Sequence, residues 1–104
     1  LYHLFFSLTP RMINPTWLER VGLEGITEST LYWFTSPHLA GPYQAAAEKP
    51  VVVGSDRTGL YGTQIVPGPD GQLYAFGAYH TSFTLEVSPR FPLRWRQGVP
   101  EIVV

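Results

Sequence analysis

The chain says nearly the same thing twice. LYHLFFS (residues 1–7) resembles LYAFGAY (73–79), LYWFTSPHL (31–39) resembles FTLEVSPRF (83–91), and KPVVV (49–53) resembles VPEIVV (99–104). The three segments come in the same order in both copies. Few small folds build the same short unit twice within 104 residues. Those that do place the units side by side and bury their shared faces.

Each unit reads as strands. Aromatic residues make up 14% of the chain, charged residues another 14%, and ten glycines and ten prolines punctuate the apolar runs. Aromatic and β-branched residues fit a pleated, packed surface, while glycine and proline end short strands. The pattern predicts strands near 1–8, 30–36, 50–54, 61–66, 72–79, 82–88 and 101–104. PDGQ (69–72) carries turn chemistry and pairs 61–66 with 72–79 as a hairpin. Two helical signals stand out. NPTWLERVG offers Asn14 as a cap, Pro15 in the first turn and Gly22 as a stop. QAAAEK (44–49), held between Pro42 and Pro50, has room for little more than one turn.

Bulk properties exclude several classes. The formal charge of -1 gives no broad pull toward nucleic acid or an anionic membrane. No apolar run approaches membrane-spanning length. With no cysteine there is neither a disulfide framework nor thiolate chemistry. His3, His38 and His80 are scattered, without the spacing of a metal site, and no cofactor is implied. LYHLFFSL lacks the basic leader and cleavage site of a signal peptide.

The fold expectation is all-β. LYHLFF and TLYWF carry large apolar groups on both faces, as strands covered on both sides do. Ser36-Pro37 and Ser88-Pro89 recur at about 50 residues, the period of a β-propeller blade. Residues 1–54 then form a blade lacking its innermost strand, and residues 61–104 form the next blade. Such a propeller fragment of about two antiparallel blades cannot close a ring. It needs the missing blades in cis, or oligomerisation. The alternative is a closed two-sheet sandwich.

The order YHLFFS, TLYWFTSPHLAGPY, KPVVV, TGLYGTQIVPGPDGQLYAFGAYH resembles the later blades of the five-bladed propeller glycoside hydrolases, families 32 and 43 and their relatives. There a strand ending in an S-x-x-x-GP-[WY] turn (here Ser36 to Tyr43, one residue longer before the glycine) precedes a "PVL" strand and a strand–PDG–strand hairpin (here Ile65 to Phe76). The resemblance implies hydrolysis of fructoside, arabinoside or xyloside linkages in a funnel on the propeller axis, by a pair of carboxylic groups. It places none of those carboxylates in this chain, because the general acid falls upstream of Leu1. It also leaves open a non-catalytic carbohydrate- or protein-binding propeller, and a transferase or phosphorylase on the same scaffold. A histidine that helps hold a central ion in some family 43 enzymes has no counterpart at Tyr61-Gly62-Thr63-Gln64.

The candidate substrate-binding residues are Asp56, Arg57, Tyr61, Thr63, Gln64 and His80, all near the start of an inner strand or the end of a second strand. Arg57 offers a fork of donors to hydroxyls, or is a solvated loop arginine. Asp56 accepts from hydroxyls, or caps a turn. Tyr61 stacks on a sugar face, or sits in the core. Thr63 and Gln64 are polar in an apolar strand, where a wet channel would satisfy them. His80 faces the same end, or is simply at the surface. The long insert 9–29, with Arg11, Trp17, Arg20 and Glu24, either walls a cleft or packs as a flap. Asp70 and His38 read as turn residues.

Overall fold

The computed structural model describes residues 1–26, 28–54, 60–80 and 85–103, and in them the apolar runs form two antiparallel sheets. The chain is all-β, with one short helix and a 3-10 turn at Pro10–Met12. No helix among the described residues is long and apolar enough to cross a membrane.

In the first sheet, β1 (Tyr2–Leu8) pairs along its length with β2 (Thr30–Ser36), from Tyr2 opposite Ser36 to Leu8 opposite Thr30. The other edge of β2 meets β3 (Gln44–Ala45), and further along it meets a single bridge from Val52 to Leu31. The strand expected over 50–54 is therefore reduced to one bridge, held by Leu31 N–H to Val52 O (2.9 Å) and Val51 N–H to Leu31 O (2.8 Å). Pro50 has no N–H to extend the ladder. The alanine run begins as β3 rather than as a helical turn, because so short a segment cannot offset the cost of nucleating a helix.

The second sheet starts with the expected hairpin, β4 (Leu60–Pro67) with β5 (Leu73–His80). Its turn closes through Gly68 N–H to Gln72 O (2.7 Å) and Gly71 N–H to Gly68 O (3.0 Å). Asp70 Oδ1 accepts from Gln72 N–H at 3.0 Å, and Gly71 takes φ 81. Asp70 is thus a turn residue.

β6 (Leu85–Val87) and β7 (Phe91–Arg96) both lie along the free edge of β5, with Val87 opposite Ala78 and Phe91 opposite Ala75. The register steps by one residue between them, so they are one strand interrupted by a bulge at Ser88-Pro89-Arg90. Ser88 bridges the gap. Its N–H donates to Gly77 O (2.7 Å), and its hydroxyl accepts from Gly77 N–H (3.0 Å). β4 also bulges beside Gly77, between Tyr61 and Gln64. The middle of β5 is therefore bent by both neighbours at one level.

β8 (Val99–Ile102) completes the sheet through a two-residue turn, Gln97-Gly98, with φ 54 and 77. This is the paired positive-φ geometry of a tight hairpin. β7 is not among the strands that the sequence pattern predicts, and Pro92, a residue that disfavours strands, lies within it. Pro92 is tolerated because its carbonyl still accepts, from Val103 N–H at 3.0 Å.

The sheets pack face to face. Leu31 and Val52 of the first meet Ala75, Leu93 and Ile102 of the second, flanked by Phe5, Ile65 and Phe91. Toward one end of this interface Trp33 and Trp95 meet edge to face at 6.0 Å. There Trp33 Nε1–H donates to His3 Nδ1 at 3.0 Å.

Helix α1 (Pro15–Arg20) forms as its signals predict. Asn14 Oδ1 accepts from Thr16 N–H at 2.9 Å, Pro15 begins the first turn, and Gly22 takes φ 76. Leu18 is its buried anchor.

Candidate functional site

Several of the segments singled out in the sequence meet at one end of the two sheets. Ser7, near the end of β1, donates its hydroxyl to Leu60 O at the start of β4 (2.9 Å). Thr30, starting β2, accepts from Gly54 N–H through its own hydroxyl (2.9 Å). Gly54 is required there, since a Cβ would come within 2.0 Å of Glu28 O. β5 finishes at the same end, with Tyr79 opposite Leu60.

The individual candidates are less united. Asp56 and Arg57 lie outside the described residues. His80 closes the backbone of β5 at this end, and its side chain likewise lies outside what the structure describes. Thr63 turns inward. Its hydroxyl lies 3.2 Å from Ser7 Oγ of the other sheet and 3.3 Å from Leu60 O of its own strand, and these two contacts meet its polar demand without a wet channel. Tyr61 and Gln64 are exposed. Three positions apart, they would point to opposite faces of a regular strand. The bulge, with Gly62 at φ 62, puts both on the outer face of the second sheet. Gln64 Nε2 makes a long contact, 3.5 Å, to Gly62 O.

The turn from Ser36 to Tyr43 is self-contained. Ser36 Oγ accepts from His38 N–H (3.0 Å), Gly41 N–H donates to His38 O (3.0 Å), and Tyr43 Oη donates to Leu39 O (2.9 Å). His38 serves here through its backbone.

A concavity lies elsewhere, on the outer face of the first sheet. The alternation of β1 and β2 that sends Phe5, Leu31 and Trp33 inward sends Phe6, Leu8, Tyr32 and Phe34 outward. The insert 9–29 folds back over them. Met12, Ile13, Trp17 and Arg20 form a roof, and residues 45–49 form the third wall. The half-open pocket between them is ≈ 340 Å³. Phe6 stacks on Tyr32 at 5.7 Å and meets Phe34 edge-on at 5.0 Å, and the Trp17 ring tilts over Tyr32 at 5.8 Å.

Two features of this pocket are electrostatic. The Tyr32 hydroxyl is sealed from solvent and has no hydrogen-bond partner. Burial raises its pKa above the ordinary 10.0, because the phenolate would be desolvated. At the rim stand Arg20, Glu48 and Lys49, all exposed. Among the described residues Arg96 and Glu101 form an ion pair at 3.3 Å on the second sheet, whereas Arg20 and Lys49 form none.

Of the insert residues named from the sequence, Trp17 and Arg20 line this pocket, and Arg11 and Glu24 stand outside the lining. The floor residues Tyr32 and Phe34 were legible only as half of the two-faced run TLYWF. Among the lining residues Glu48 is the lone carboxylate, so the pocket does not itself supply the two carboxyl groups that glycoside cleavage uses. Among the described residues no group of three His, Asp or Glu could hold a metal ion.

No family model, curated protein or solved structure matches the chain.

Proposed function

We propose that this chain is part of a propeller-type glycoside hydrolase, holding carbohydrate at the end where β1 finishes and β4 starts, while the catalytic acid pair is supplied from outside these residues. The observation that carries the reading is the repeated strand order. β4, β5, β6–β7 and β8 make a four-stranded meander. β1, β2 and the β3–Val52 edge repeat its last three strands, leaving β1 as an edge without a counterpart of β4. The Ser7–Leu60 bond joins the end of a second strand to the start of an inner strand, as adjacent blades require. In this reading residues 1–54 and 61–104 are consecutive blades. Asp56, Arg57, Tyr61, Gln64 and His80 surround the sugar, and Thr63 supports the strand that carries two of them. The partners are a carbohydrate and further blades, in cis or from other copies, with no role for nucleic acid or membrane.

A non-catalytic carbohydrate-binding propeller is the second reading. It is favoured by the candidate set itself, in which Asp56 alone carries a carboxyl group, one short of the pair that cleavage uses.

Titration of the 104-residue chain with fructo-, arabino- and xylo-oligosaccharides, followed by amide chemical shifts, tests the proposal. Shifts clustered at residues 54–64 and around His80 are expected, with no sugar released. Absence of shifts with all three sugar classes overturns the carbohydrate reading. Release of sugar by the chain alone overturns the placement of the acid pair.

A further inference from the structure

The pocket beneath α1 does not match a sugar. A polyol ring needs several hydrogen-bond partners around its rim. Here the walls are Phe6, Trp17, Tyr32 and Phe34, closed off by Met12 and Ile13. At ≈ 340 Å³ the pocket has room for one ring with a short tail, near the small end of the roughly 300–1,000 Å³ usual for ligand sites.

Its polar groups are few, and most favour an anion. Arg20 and Lys49 reach the rim from different elements, and neither has a carboxylate within ion-pairing distance among the described residues. Glu48 beside them leaves a net positive mouth. Tyr32, nine-tenths buried, contributes its ring to the floor.

We propose that this pocket binds a small amphiphilic carboxylate. The apolar body lies between Trp17 and the Phe6–Phe34 floor, and the anionic head sits at Arg20 and Lys49. None of the candidate sugar-binding residues lines this site, and its test does not depend on that reading.

The test uses the whole chain with 3-phenylpropionate and its neutral isostere 3-phenylpropionamide, read by the Trp17 indole N–H resonance, with Trp95 outside the pocket as control. The acid is expected to give a saturable Trp17 shift with Trp95 unmoved. The amide is expected to bind at least about threefold more weakly, the size of effect a solvent-accessible charge pair produces. Arg20→Gln and Lys49→Gln should each narrow the gap between acid and amide, and Glu48→Gln should widen it. All three side chains are exposed, so the fold should persist, and spectral dispersion checks that it does. No saturable shift at Trp17 overturns the proposal. So does equal binding of acid and amide, or an unchanged gap in the variant lacking both cations.

Discussion

At the scale of single residues, two hydroxyls show how much of this chain depends on partners far away in sequence. Thr63 reads locally as a polar residue in an apolar strand, which suggests a wet channel. The structure satisfies it with Leu60 O of its own strand and with Ser7 across the sheet interface, and no local pattern announces the second partner. Ser7→Ala is expected to cost about 1 kcal/mol in urea unfolding, the usual worth of such a bond. Removing both hydroxyls should cost less than the sum of the single losses, because they share partners. Tyr32 is the opposite case, an aromatic residue legible as core whose hydroxyl has nothing to bond to. Tyr32→Phe is therefore expected to raise stability at pH 7, by about 1 kcal/mol. The same substitution should alter the alkaline limb of stability. Burial raises the folded-state pKa, so the unfolded chain loses this proton first. Tyr32's contribution is intact below pH 10 and is lost as pH climbs beyond it. Stabilities of parent and Tyr32→Phe measured between pH 9 and 11 should diverge, the parent falling more steeply.

At the scale of elements, what was legible is what is encoded within a few residues. The Asn14 cap, Pro15 and Gly22 bound α1, and Asp70 and Gly71 shape the first hairpin turn, as their types dictate. Elements that depend on a neighbouring strand were misjudged. Residues 50–54 had the composition of a strand but kept one bridge, because Pro50 interrupts the ladder beside β2. β7 exists despite Pro92 because β5 and β8 bracket it. The Gln97-Gly98 turn gives this level its sharpest test. Both residues hold positive φ, a conformation that asparagine tolerates better than glutamine. Gln97→Asn is expected to raise the unfolding midpoint, with a gain of about 0.5 kcal/mol. A loss would mean that the turn is not of this type in solution.

At the scale of the whole molecule, the two sheets share one core but each keeps an apolar outer side. Tyr2 and Leu4 on the first, and Tyr61 and Val87 on the second, are exposed, Val87 at 72%. Exposed apolar faces of this kind mark association surfaces. If the sheets are blades, the chain should self-associate in a head-to-tail manner, since the two outer faces differ. Light scattering at rising concentration should show the mass increasing beyond one chain, and Val87→Lys should reduce that increase. A concentration-independent monomer would favour the closed sandwich. Periodicity made both sheets visible in advance, but not how sharply the second one bends. The paired bulges at Gly77 act as a crease across it. A methyl group at Gly77 would press on Tyr61 O at 2.9 Å and on Thr63 at 3.3 Å. Flattening the crease would move Tyr61 and Gln64 together, so the angle at which this surface meets any visitor is set by one missing side chain behind it.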